Sequence, residues 1–209
     1  MKQIHPYSTF QEAIQSLDNG GSFFNLFSHS KDGVVSPAEL GKVAGVSFDK
    51  QSLILFLVMS LTRLDNTSRE KVLARLDVSL FKQFEKHQPV HMSIEQLAET
   101  GKPGMSATLV GTPKRIGSQE SFGGMIMVPV IVGTVTSFTM IPMVNTYEVY
   151  ELKSDYSEET VIVAHPKDQG SLPERKLRLG GVLTSLSQSE HVTHPDQVFL
   201  DIQYYMEEN

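Results

Sequence analysis

The chain has 209 residues, long enough for one large domain or two small ones, with hydrophobic residues at 40% and charged residues at 20%, an ordinary globular balance. It contains no cysteine, which excludes disulfides, zinc-thiolate sites and thiol nucleophiles and fits a reducing cytoplasm. The formal charge of -6 is uneven: residues 1–90 carry 10 Lys+Arg against 9 Asp+Glu, residues 91–209 carry 8 against 15, and the acidic second half disfavours phosphate backbones.

In chain order, residues 1–6 lack the apolar segment of a secretory leader. Ser8-Thr9-Phe10-Gln11 reads as a capping-box start, Phe10, Ile14 and Leu17 follow at helical spacing, and Asp18-Asn19-Gly20-Gly21 stops that helix. Ser36-Pro37-Ala38-Glu39 opens the next, with Ser36 as N-cap, Pro37 at the first helical position and Glu39 at the third. Ser47 is read as the cap of the longest helix, running to about Leu64. Its centre, Leu53 to Met59, is apolar all round, which predicts the core of this half. Further helices are expected from Asn66 to about Leu76, from Asp77 to Lys86, and from Ser93 to Gly101.

Lys102-Pro103-Gly104 then marks the expected boundary between a helical domain, residues 1–104, and a β domain, residues 105–209. Candidate strands are 107–111, 125–140 with a bend at Gly133, 146–153, 160–165, 176–185 and 197–206. Gly180-Gly181 inside a strand suggests a bulge or tight bend. No charged residue occurs from Ser121 to Tyr147, a length that would span a bilayer. Pro129, Gly133, Pro142 and the threonines suit buried strands better, so no membrane association is expected.

The segment Ser28-His29-Ser30-Lys31-Asp32-Gly33-Val34-Val35-Ser36-Pro37-Ala38-Glu39 resembles an EF-hand calcium loop, with Phe27 and Leu40 as its apolar flanks. The resemblance implies ligands from Ser28, Ser30, Asp32, the Val34 carbonyl and Glu39, with Ser36 acting through water. Gly33 would make the turn and Val35 would pair the loop with a neighbour. Serines stand at positions 1 and 3 in place of acids, so calcium binding is expected to be weak or absent, with no other cofactor. The same residues also read as a plain helix-joining turn with a capping box. The segment is similar, too, to the turn of tellurite-resistance-type helical domains.

The strands from about Val128 to Met206 resemble an OB-fold barrel, in which the first strand bends at a glycine, here placed at Gly133, although an immunoglobulin-like sandwich or another small barrel would read much the same. An OB-fold that binds single strands needs exposed aromatics and cations. Tyr147, Tyr150, Tyr204 and Tyr205 offer the rings, but acids flank them, and the basic clusters are only Lys114-Arg115 and Arg175-Lys176-Leu177-Arg178. Met125, Met127, Met140 and Met143 have spacings that suit Cu(I), yet read more simply as gap-fillers or contact surface. His165, His191 and His194 would serve an enzyme only if their rings converged, and no nucleophile elbow, P-loop or dinucleotide fingerprint is present.

The expected fold class is therefore α+β, a helical N-terminal domain followed by a small, OB-like β-barrel. The expected role is a non-catalytic cytoplasmic interaction module that contacts another protein or a second copy of itself. The alternative is single-stranded nucleic-acid binding through the barrel.

Overall fold

The computed structural model describes residues 1–20, 30–46, 49–116, 121–122, 125–132, 135–142, 147–154, 158–166, 169–185 and 198–208. Its contacts divide the chain into two compact units, Ile4–Pro89 and a second made of Met1–Gln3 with Val90–Asn209. The first holds α1 (Phe10–Leu17), α2 (Pro37–Ala44), α3 (Lys50–Ser60), α4 (Asn66–Leu73) and α5 (Val78–His87). The second holds the short strands β1 (Lys2–Gln3) and β2 (Val90–His91), α6 (Ile94–Thr100), and strands β3 (Ser106–Arg115) to β10 (Val198–Glu207). Among the described residues no helix is long and apolar enough to cross a membrane.

Caps start the helices of the first unit. Thr9, Asp65 and Asp77 each accept the N–H three residues on, and Ser36 with Glu39 forms a full capping box ahead of Pro37. The cap of α3 is Asp49, not Ser47, which lies outside the described residues; the Asp49 carboxylate accepts from the N–H groups of Gln51 and Ser52. As expected from its all-round apolarity, α3 is the core element, with every residue from Ser52 to Leu57 buried, together with Met59 and Ser60. α2 and α5 pack on α3, and α1 on α2 and α4, with Leu17, Leu40, Val72 and Leu80 buried on α1, α2, α4 and α5 respectively. Each fully buried leucine contributes roughly 1.5–3 kcal/mol.

In the second unit five strands close a barrel. β3 pairs antiparallel with β7 (Tyr147–Lys153), β7 with β8 (Thr160–Pro166), and β10 with β9 (Leu177–Ser185), which returns to β3. β8 and β10 close the remaining seam in parallel. Numbered within the barrel the order is 1-2-3-5-4-1, which is compatible with an OB-like barrel. Leu109, Tyr150, Leu152, Val163, Leu179, Leu200 and Ile202 fill it, and Met92, Ile94 and Leu97 join the same buried cluster. The segment 90–100, expected in the helical domain, packs with the strands, and Lys102-Pro103-Gly104 links α6 to β3 inside one unit.

The assignment of the first barrel strand is corrected. The charge-free run forms a separate three-stranded sheet, β4 (Ser121–Phe122), β5 (Met125–Val132) and β6 (Val135–Pro142), with Met127 opposite Met140. Gly133 lies between β5 and β6, outside the described residues. The bending first strand is β3, and its glycine is Gly111. Up to Gly111 β3 pairs with β9, and from Thr112 it pairs with β7. A Cβ at Gly111 would stand 2.8 Å from the Lys153 carbonyl oxygen and 2.9 Å from Leu152, so only glycine lets the strand change partners here. Opposite Gly180-Gly181 the β10 register slips between Ile202 and Tyr204, the irregularity that the paired glycines suggest.

Candidate functional site

The helix-joining loop is organised by a carboxylate from outside the EF-hand-like string. Asp18, the C-cap of α1 and 5% exposed, accepts the N–H groups of Lys31, Asp32 and Gly33. Gly33 turns the chain at φ 83°, and Asp32 Oδ1 accepts the Val34 N–H at 2.9 Å. Glu39 is 1% exposed, and its oxygens are engaged by donors: Oε1 by the Gly20 N–H at 2.6 Å, Oε2 by the N–H and hydroxyl of Ser36, each at 2.9 Å. Val35 exchanges two backbone hydrogen bonds with the 75–77 segment, forming a parallel bridge to Leu76 inside its own unit. Of the EF-hand positions, Ser30, Asp32, Val34 and Glu39 are described, and Ser28 lies outside the described residues. Among the described residues no group of three or more His, Asp or Glu is placed to hold a metal ion.

The barrel's candidate cations and rings are largely spoken for. Arg115 pairs with Glu148 at 3.0 Å, Arg175 with Glu207, and Arg178 binds Glu208 through both Nε and an Nη. That fork holds the Glu208 carboxyl below the usual carboxylate range, chiefly through its hydrogen bonds from Arg178. Lys114 is exposed on the same strand as Arg115. Tyr150 and Tyr204 are buried, so neither offers a free face for stacking. Tyr205 is half-buried with its hydroxyl 3.4 Å from Gln3, and the Tyr147 side chain lies outside the described residues.

Of the three histidines, His191 and His194 lie outside the described residues. His165 meets Tyr150 and Glu148, a grouping that no local motif announces because it spans β7 and β8. The His165 ring is fully buried and stacks on Tyr150 with centroids 5.5 Å apart. Its Nδ1 lies 2.8 Å from the Pro166 carbonyl, which can only accept, so the proton sits on Nδ1. Nε2 then faces Glu148 at 3.9 Å and has no hydrogen-bond partner among the described residues. Tyr150 donates to Glu148 at 2.6 Å while its own oxygen accepts the Leu172 N–H at 3.0 Å, and Ser171 also reaches Glu148. The Tyr150 hydrogen bond, with help from Ser171 and Arg115, lowers the Glu148 pKa, and burial lowers that of His165.

Among the described residues the large hydrophobic side chains left exposed are Val34, Val90 and two on α5. Val78 is 73% exposed and Phe81 39%. Lys50, Val78, Lys82, Lys86 and His87 help to line a groove of about 510 Å³.

No protein-family model matches the chain, and no curated protein matches it. Among solved structures, one described as an aspartyl-tRNA synthetase of Leishmania major Friedlin aligns over 57% of this chain and 20% of its own, at 8% identity and a TM-score of 0.33. The chain spans about a fifth of that structure's length, and a TM-score of this size informs neither fold nor function.

Proposed function

We propose that the protein is a soluble, non-catalytic interaction module that contacts another protein or a second copy of itself. The observation that carries this reading is a contrast in how surface groups are satisfied. Arg115, Arg175 and Arg178 on the barrel each have a carboxylate partner, whereas α5 exposes Val78 and Phe81 beside lysines with no ion pair among the described residues. Cations already held by Glu148, Glu207 and Glu208 are poor counter-charges for a phosphate backbone, and buried tyrosines cannot stack on bases. The cysteine-free composition supports placing the protein in the cytoplasm.

The helix-joining loop is, in this reading, a structural joint with at most weak calcium affinity. Its support is that the Glu39 oxygens already accept N–H and O–H donors, which a cation would have to displace. A second reading, single-stranded nucleic-acid binding, is favoured by one feature, the OB-like strand order with long connections after β3 and after β9.

Gel filtration of the natively expressed protein before and after nuclease treatment tests the choice. A complex with another protein, or a self-complex, that survives the nuclease is expected. A complex that collapses on nuclease treatment would favour the second reading.

A further inference from the structure

Residues 78, 82 and 86 recur every four positions, with 79, 83 and 87 one place along, so they form one continuous face of α5. Together with Lys50 at the start of α3 they line the groove of about 510 Å³. The lining holds three lysines and a histidine and no Asp or Glu. Lys82 and Lys86 stand one turn apart, where like charges repel, and neither they nor Lys50 makes an ion pair among the described residues. Val78 closes one end of the stripe at 73% exposure, and Phe81 is exposed on the adjoining stripe with its ring 6.3 Å from that of Phe84.

We propose that this face docks an acidic amphipathic segment of a partner protein, with carboxylates one helical turn apart set against Lys82 and Lys86 and an apolar side chain over Val78. The proposal rests on the reading of the protein as a protein-contact module, and charge complementarity selects the partner. The unit Ile4–Pro89 carries nine Lys+Arg and nine Asp+Glu, so it has no net field to attract an extended polyanion or an anionic bilayer. A short acidic segment responds to the groove alone, because charges beyond roughly 8 Å are screened at physiological salt. Val78 adds an apolar contact for which a phosphate backbone has no counterpart.

The test uses the full chain and a fluorescein-labelled peptide that repeats glutamate every fourth residue with leucines on the adjoining face. Saturable anisotropy is expected, weakened about tenfold by Lys82→Glu with Lys86→Glu and weakened also by rising salt. The pair Lys82→Gln and Lys86→Gln should give a smaller loss, and circular dichroism would show both variants folded. Absence of saturable binding, equal binding of the peptide with glutamine for glutamate, or indifference to the lysine changes overturns the proposal. So does lysine-dependent sedimentation with vesicles of about 30% phosphatidylserine in the absence of peptide binding. A nuclease-resistant native complex that ignores the charge reversals overturns this site and leaves the broader reading standing. If no nuclease-resistant complex forms at all, the broader reading falls and the site with it.

Discussion

Asp18 does in the folded chain what a cation does in a calcium loop: it gathers successive polar groups of the turn around one point. The charge is reversed, so the turn presents N–H donors to a carboxylate where an EF-hand presents oxygens to a metal. Asp18→Ala would leave these donors without their acceptor in a nearly closed space. It is expected to destabilise the protein by about 3 kcal/mol, read as a shifted urea midpoint. Calorimetric titration of calcium into the chelator-treated protein should give no affinity tighter than about 10⁻⁴ M, and micromolar binding would contradict the joint reading. His165 supplies a pH dependence. Burial lowers its folded pKa below the unfolded value, so the unfolded chain binds the proton more readily. The native state therefore keeps its full stability above pH of about 6.5 and loses it as pH falls, by up to about 1.4 kcal/mol per pH unit. Urea midpoints compared between mildly alkaline and mildly acidic buffer should show this loss, and His165→Gln should reduce it. An equal pH slope in the variant would exclude His165 as the cause.

Among the elements, β3 makes the barrel by serving two partners in turn, and the change of partner occurs at Gly111. Gly111→Ala places a Cβ against the Lys153 carbonyl, which belongs to backbone and cannot swing away. A loss of about 2–4 kcal/mol or failure to fold is expected, and a thermal midpoint within a degree or two of the parent would mean the strand has room after all. The start of α2 was legible in the sequence because a cap is a local device, complete within four residues, as Ser36, Pro37 and Glu39 demonstrate. By contrast, α1 is capped at Thr9, one place after Ser8, and α3 at Asp49, not Ser47. The apolar all-round α3 announced a core in the same way. Strands were legible as alternations, but alternation does not say which strand pairs with which. The charge-free run therefore looked like the first barrel strand when that strand was the shorter-looking stretch at Gly111. The role of Asp18 as acceptor for the turn has no local signature, because its contacts lie 13 to 15 residues away. The burial of Tyr150 carried a signal in its shared face with Leu152, which is buried beside it.

For the whole molecule, charge distribution bears most on function. The unit with the barrel holds nine Lys+Arg against 15 Asp+Glu, and the helical unit holds nine of each. Within the acidic unit the three arginines, Arg115, Arg175 and Arg178, are each paired with a carboxylate, Glu148, Glu207 and Glu208, which weakens them as counter-charges for a phosphate backbone. Protein contact is therefore expected to outcompete oligonucleotide contact in this chain. The most direct measurement is a fluorescence-anisotropy titration of the full chain into labelled single-stranded DNA and RNA in about 150 mM salt. The expected result is no saturable binding below the micromolar range. Submicromolar binding that falls steeply with added salt, and is abolished by reversing Arg175, Lys176 and Arg178, would contradict it.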